Sequence, residues 1–428
     1  MPRMLILSRR FAPLFWCQFF AAFNDNFLKT ALVFLIIFQS GSSNSEALVT
    51  LASAVFIAPY FFLSGLAGEI ADRYDKAKVA QHLKFAEIFI AAAAAWGYFH
   101  ASLPILFLAL FGFGVLAALF GPIKYGILPD HLRREELPGG NAFIEGATFI
   151  AILLGTIAGG LASRGARESL FIALILSIAA ACWVSALLIP STGQAVAKLK
   201  ISVNILVSTA TIIRWLRADP RLWWGAMVTS WFWLVGIVVV SLLPPMIKTL
   251  VGGNEQAVTL YLALFSISVG AGSALAAALA RGRIFLIPTV VGAVMIGLFA
   301  IDAGLSLLGA PPSPSLRGPA EVFASAIGVR AAVDLCGLAV SGGLFIVPAF
   351  AAVQAWSSST HRARTIAAIN VINAAFMTGG TLLMAIMQKL GAPVPALFIL
   401  VGALTLVVAM IIWKTMPKGD AVTPQSMS

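Results

Sequence analysis

Charge is what this 428-residue chain has least of. Only 11% of its residues are Asp, Glu, Lys or Arg, against roughly 25% in a soluble domain. Cysteine is scarcer still: Cys17, Cys182 and Cys336 lie singly in apolar stretches with no CxxC or histidine spacing, which points to free thiols, no disulfide and no metal or other cofactor. The four histidines, at 82, 100, 131 and 361, are scattered, so no His/Asp/Glu cluster marks a metal or nucleophile site and an enzyme is not expected. What is abundant is apolar surface, 60% of residues with a mean hydropathy of +0.97. A chain of this composition lacks the polar residues to cover a soluble globule, and the expected class is a polytopic membrane protein.

Ser8-Arg9-Arg10-Phe11 precedes an apolar run, as in a twin-arginine signal. The run is too long for a signal h-region and no small-residue cleavage site follows. It reads as the first span. Twelve helical spans are expected, at 11–39, 46–71, 80–99, 103–124, 138–162, 168–190, 222–247, 256–280, 284–308, 330–355, 365–389 and 393–414. Only helices fit, because lipid offers no partner to an open backbone. The formal charge of +11 comes from short basic runs between spans, which argues for topology and against nucleic acid. With the N-terminus inside, 21 Lys and Arg fall on the cytoplasmic side, Arg3 and Lys418 among them, and 6 outside, including Arg164 and Arg167. Lys29 lies within a span. This asymmetry places both termini in the cytoplasm.

The organisation expected is 1–190 as a six-helix bundle, 191–221 as a cytoplasmic linker and 222–428 as a second six-helix bundle with a short tail. In the linker, Lys200, Asn204, Ser208 and Thr211 recur at helical spacing, with Ile201, Val203, Ile205, Leu206, Ile212 and Ile213 elsewhere around the turn. That predicts an amphipathic helix on the inner membrane surface, with a solvated linker as the other reading. The outer loop 309–329, with Pro311, Pro312, Pro314 and Pro319, reads as irregular.

After span two the chain reads Gly65-Leu-Ala-Gly68-Glu69-Ile70-Ala71-Asp72-Arg73-Tyr74-Asp75-Lys76-Ala77-Lys78. This resembles the G-x-L-A-D-R-x-G-R-K loop of the major facilitator superfamily through Gly68, Ala71, Asp72, Arg73 and Lys76, with Ile70 and Asp75 departing from it. Gly270, Gly272, Ala276, Ala280, Arg281, Gly282 and Arg283 form a weaker echo after span eight. Small residues let helices close at the membrane face; the Asp suits a neighbouring helix N-terminus and the Arg an ion pair. The two readings are a gate (Gly68, Asp72, Arg73, Arg281) and a merely basic loop.

Four further blocks resemble the bacterial lysophospholipid transporter family: Gln18 to Lys29 with Asn24, Asp25 and Asn26; Gly121-Pro122-Ile123-Lys124-Tyr125-Gly126-Ile127-Leu128-Pro129; Asn141 to Gly146 with Ala151-Ile-Leu-Leu-Gly155 and Gly159-Gly160; and Gly342-Gly343, Val347-Pro348, Gln354 and Ile366 to Asn370. The resemblance implies a major facilitator fold and a flippase that moves lysophosphatidylethanolamine-type lipids from the outer to the inner leaflet of a bacterial inner membrane, without ion coupling, for re-acylation. Partners so implied are the lysophospholipid, membrane lipids and a separate phospholipid acyltransferase/acyl-carrier-protein synthetase, because no His-x4-Asp of an acyltransferase occurs here. The carrier is expected to act as a monomer. The family's basic residue in span seven has no counterpart between Ser230 and Ser241, and its span-eleven Glu is matched by Asn373. Lys29 and Lys124 are then the replacements to consider.

The residues themselves leave choices open. Asp25 and Lys29 share a face of span one. They are either a packing ion pair or the two poles of a zwitterion site, Lys29 for phosphate and Asp25 for ammonium, with Asn24 and Asn26 adding hydrogen bonds. Lys124 either snorkels or releases phosphate inward, with Glu145 as a partner. Lys84 and Glu87 read as a local pair near the interface. Arg330 and Asp334, four apart, read as a structural pair or an outer gate, and Asp302 has no evident partner. Trp223 and Trp224 fit an interfacial belt. Trp231 and Trp233 suit an acyl-chain path, and Gln354, Asn370 and Asn373 complete the binding candidates. The alternative function is a proton-coupled drug or metabolite transporter, with Asp25 or Glu145 carrying the proton: Gly146, Gly155 and Gly159 partly match the span-five antiporter motif, but Gly160 stands where its Pro belongs.

Overall fold

A computed structural model describes residues 5–38, 45–162, 168–202, 204–308 and 315–416. Arg3, Arg164, Arg167, Val203, Pro311, Pro312, Pro314 and Lys418 lie outside the described residues.

The described chain is all-helical. In order the helices are α1 (Ala12–Phe38), α2 (Ser45–Arg73), α3 (Lys76–Phe99), α4 (Leu103–His131), α5 (Leu137–Ala162), α6 (Glu168–Leu187), α7 (Ile205–Ala218), α8 (Pro220–Met246), α9 (Glu255–Ala280), α10 (Ile287–Leu307), α11 (Pro319–Phe323), α12 (Ala326–Trp356), α13 (Arg362–Lys389) and α14 (Val394–Thr415). All twelve expected spans are helices, and α7 and α11 are extra. Eleven of the described helices are long and apolar enough to cross a membrane by length and composition. The twelfth, α3, carries Lys76, Lys78, Lys84 and Glu87, yet its 24 residues reach about 36 Å, more than a bilayer core of roughly 30 Å.

Several helices outrun their expected ends for one reason. Prolines and charges read as stops in the sequence, but a span buried among other helices tolerates both. α4 runs through Pro122 and Pro129 to His131. α3 begins at Lys76, with Asp75 capping it by accepting from the Ala77 N–H at 3.0 Å. Of the 309–329 loop, residues 315–329 hold the single-turn α11 and a two-residue bridge from Arg317 to Gly253.

The chain forms two compact units. The first comprises Met1–Gly140, Ile150–Leu222 and Ser357–Ala374. Within it α1 packs on α6 and α4, α2 on α4 and α7, and α3 on α4 and α6. Its core is aromatic, with Phe27, Phe171 and Tyr98 stacked at centroid spacings of 5.0 and 3.9 Å. The second comprises Asn141–Phe149, Trp223–Trp356 and Ala375–Ser428. There α12 packs on α9 and α10, and α10 on α14.

The linker helix exists but faces otherwise than its polar stripe suggests. Asn204 is its N-cap, its Oδ1 accepting from the Leu206 and Val207 N–H groups. Ser208 is buried, while Leu206 and Val207 point outward. The cause is Glu69 of α2, a buried carboxylate whose oxygens require donors; Ser208 supplies one at 2.6 Å.

Candidate functional site

Three groups of polar side chains stand out. The first lies inside the spans of the first unit. On α1, Asp25 and Lys29 are each half-buried and no ion pair within 4.0 Å joins them among the described residues. The charges acting on Asp25 are Glu87 and Lys84 of α3, Lys29, and Lys124 of α4; Tyr60 of α2 lies in the same field. Four helices thus bring five charges and a phenol to one region. Lys124 is half-buried with its ammonium 4.7 Å from the Tyr125 ring centre.

The asparagines beside them are committed elsewhere. Asn24 is fully buried and donates to the Ile175 carbonyl of α6 at 3.2 Å; Asn26 donates back to Ala22 of its own helix at 2.8 Å. Lys84 and Glu87 correct an expectation. They pair at 2.7 Å, but at 2% and 1% exposure they lie in the core, not at an interface. The Lys84 ammonium also sits 4.4 Å over the Phe120 ring, and Glu87 Oε1 has no partner among the described residues.

The second group joins the end of α2 to the start of α13. Asp72, fully buried, accepts from the Ala363 N–H at 3.0 Å, the Arg364 N–H at 3.3 Å and the Arg364 Nε at 2.8 Å. A carboxylate is thereby set on the unpaired first-turn N–H groups of α13, where helix geometry favours negative charge. The sequence foresees the helix end, but the arginine is Arg364; Arg73 instead lies 5.2 Å from the Tyr74 ring centre. Asp130, at the end of α4, grips the same turn: it accepts from Arg362 Nη1 at 2.7 Å and from the buried Lys76 Nζ at 2.9 Å. Sequence reasoning missed Asp130 because the helix was expected to stop before Pro129. Gly68 makes the approach possible, since a Cβ there would fall 2.7 Å from Ala367 Cβ and 2.8 Å from Arg364 Cα. Asn370, one turn further along α13, lies against Gly121 of α4. Arg281 is exposed at the end of α9 with a positive φ.

Asp75 ties this latch to the linker, accepting from Ser191 Oγ at 2.5 Å and from the Thr192 N–H and Oγ at 3.1 Å. Burial pushes its carboxyl up, but the hydrogen bonds from Ser191, Thr192 and Ala77 together hold it below the usual value. A depressed carboxyl stabilises the folded form above its ordinary pKa of about 3.9 and loses that contribution as pH falls through the folded value. Proteolysis of the 193–200 stretch is therefore expected to be equal at pH 7 and pH 5 and to rise only below about pH 4, and Asp75→Asn should raise it at pH 7. Next to the latch, burial and Arg364 hold His361 below its ordinary value, with Asp72 opposing.

The third group belongs to the second unit. Arg330 pairs with Asp302, its Nη2 donating at 2.6 Å and its Nε at 3.4 Å, so the carboxylate without an evident partner has one and Asp334 is not it. Asp334 is buried beside Asp302, with Oδ2 unpartnered among the described residues. Gln354 and Asn141 form a buried reciprocal amide pair at 2.7 and 3.2 Å. Glu145 is fully buried; Asn373, which belongs to the first unit, is nearly so. The Trp231 indole donates to Thr405 of α14 at 3.3 Å, and Trp233 lies parallel to Phe149 at 6.4 Å.

A bundle of membrane-length helices with a carboxylate on the first turn of α13 and charges inside the spans defines a membrane carrier. The sequence profile described as Major Facilitator Superfamily matches residues 14–329, and the chain belongs to that superfamily. Among its relatives are proteins named lysophospholipid transporter LplT from Yersinia pestis (strain Pestoides F) and Yersinia pseudotuberculosis serotype O:3 (strain YPIII), each 29% identical over 402 residues, covering 91% of this chain and 90% of theirs. Its fold is shared with the proton:xylose symporter XylE (TM-score 0.75, 13% identity, 99% of this chain and 98% of that one) and the human organic anion transporter MFSD10 (0.74, 16%, 94% and 99%).

Proposed function

We propose that the chain is a lysophospholipid transporter. It moves lysophosphatidylethanolamine-type lipids from the outer to the inner leaflet of a bacterial inner membrane by alternating access, for re-acylation by a separate enzyme. The observation that carries this reading is the unbridged pair on α1: Asp25 and Lys29 share a face, keep partial exposure and make no ion pair within 4.0 Å among the described residues. Charges inside a span are costly unless they have work there, and opposite charges one helical turn apart match a phosphate and an ammonium on one headgroup. The Yersinia relatives support the same substrate. The basic-residue asymmetry supports a cytoplasmic position for the Asp72 latch; in that orientation inward release requires the latch to part.

The test is uptake of labelled lysophosphatidylethanolamine by the purified protein in liposomes. Lys29→Ala is expected to slow it about tenfold or more, the worth of one charge-assisted hydrogen bond, and Lys29→Arg to retain most of it. Wild-type rates in Lys29→Ala would remove the headgroup scheme. One observation favours a second reading, a proton-coupled carrier: the buried Asp334 beside Asp302, two carboxyls placed to share a proton. Uptake that collapses when the proton gradient is dissipated would select that reading; uptake that persists selects facilitated flipping.

A further inference from the structure

The linker between the sixth and seventh spans is bound at five places to the latch segments. Asp75 holds Ser191 and Thr192. The Val196 N–H donates to the Asp72 carbonyl at 2.9 Å. Glu69 Oε2 accepts from the Ser202 N–H at 2.8 Å and Oε1 from Ser208 Oγ at 2.6 Å. Thr209 lies so close to α2 that a Cβ on Gly65 would fall 2.9 Å from its hydroxyl. At the far end of α7, Trp215 stacks on His361 at 4.7 Å and 16°, one residue before α13 begins.

Helix α7 therefore touches both jaws of the latch, α2 through Gly65 and Glu69 and the approach to α13 through His361. We propose that Glu69 is a positioning residue for transport: it seats α7 on α2 so that Trp215 bears on His361 and keeps the first turn of α13 within reach of Asp72 and Asp130. The inference rests on reading the latch as the carrier's cytoplasmic gate.

Glu69 is 8% exposed, and both donors to its carboxylate come from the linker. Undocking would leave a carboxylate bare among packed helices, which is costly. For stability alone an apolar side chain would serve that spot as well or better. A carboxylate is specific to the docked arrangement, because two donors at fixed positions satisfy it and set the register of α7 along α2. The register matters at the other end: from Ser208 to Trp215 is seven residues, two turns and about 10 Å of rise, which carries the indole from the α2 contact to the His361 ring.

The labelling arm of the experiment reads the latch without substrate, and lysolipid uptake is measured beside it. Thr365, fully buried one turn into α13 and bonded to the His361 carbonyl at 3.0 Å, is replaced in the full-length protein by Thr365→Cys, and labelling of the introduced thiol by a membrane-impermeant maleimide is timed in detergent. In that background Glu69→Ala and Glu69→Leu are expected to speed labelling at least about fivefold, as the closed population falls, and Glu69→Gln, which keeps an acceptor and gains a donor for Ser208, to stay within about twofold of the parent. Glu69→Leu is expected to keep the parent's unfolding temperature, which separates loss of seating from loss of fold. Parent-like labelling in Glu69→Leu would overturn the proposal. So would faster labelling with lysolipid uptake unchanged, since the residue would then seat a helix that transport ignores. If the wild-type protein takes up no lysolipid, the substrate reading falls, and the labelling rates still decide whether Glu69 seats the linker.

Discussion

Lys84→Ala is expected to cost the protein about 3–5 kcal/mol of stability, the penalty for leaving one member of a buried ion pair without its partner. Lys84 and Glu87 are 2% and 1% exposed, so water does not reach either charge to soften the loss. The carboxylate left behind would have neither the 2.7 Å ammonium nor a substitute, because Glu87 Oε1 already lacks a partner among the described residues. Folded domains exceed their unfolded forms by only about 5–15 kcal/mol. Purified Lys84→Ala should therefore unfold at a temperature lower by at least about 5 °C, or fail to accumulate. Glu87→Ala should behave alike, since it strands the ammonium over Phe120. The pair Lys84→Met with Glu87→Leu removes both charges and refills the volume, and its stability should return to near that of the wild type. Its transport should not. Asp25 lies in the field of both charges, and the proposed headgroup site, with two of the five charges of its region gone, should bind a zwitterion less well. A Lys84→Ala protein as heat-stable as its parent would show that this region is wet and the pair exposed.

The depth of that pair was hidden for a reason that recurs along the chain. The i,i+3 spacing of Lys84 and Glu87 is plain, but the span was expected to begin at residue 80, which puts the pair at a membrane edge. Asp75 caps α3 and starts it at Lys76, so Lys84 stands eight residues in, about 12 Å along the axis. Asp130 was hidden the same way, beyond two prolines that the helix passes through. Element positions were legible because apolar runs of about 20 residues have one solution in lipid. Asp72 at a helix N-terminus was legible because the motif combines small residues with an acid. Partners distant in sequence were not. Nothing in the spacing joins Asp302 to Arg330, 28 residues on, or Asp72 to Arg364. Ser208 reads as a solvent-facing residue until Glu69 is seen beneath it.

The largest transport defect is expected at the latch. Gly68→Val puts a branched side chain where a single Cβ would already be 2.7 Å from Ala367 Cβ and 2.8 Å from Arg364 Cα. The obstructing atoms include α13 backbone, so the helices must part and Asp72 must leave the Ala363 and Arg364 N–H groups. Asp72→Asn acts without added bulk. It keeps an oxygen for one N–H but loses the charge that holds Arg364 at 2.8 Å, a loss of about 1.5–3 kcal/mol for a hydrogen bond to a charged group. That shifts a two-state equilibrium by about ten- to a hundredfold toward the open latch. An alternating-access carrier with one side held open completes few cycles, so both variants should take up lysophosphatidylethanolamine at less than about a tenth of the wild-type rate, while the Thr365→Cys reporter labels faster. Asp130→Asn should do less. Asp130 is 19% exposed and shares its charge between the buried Lys76 and Arg362; an Asn there keeps an oxygen for the Lys76 ammonium, and the partial exposure softens the loss of charge. The order Gly68→Val and Asp72→Asn well below Asp130→Asn follows from burial, since Asp72 has 0% exposure and water has no access to replace the lost charge. Equal rates for Asp72→Asn and wild type would mean that the end of α13 moves freely past α2, and the gate would have to be sought elsewhere.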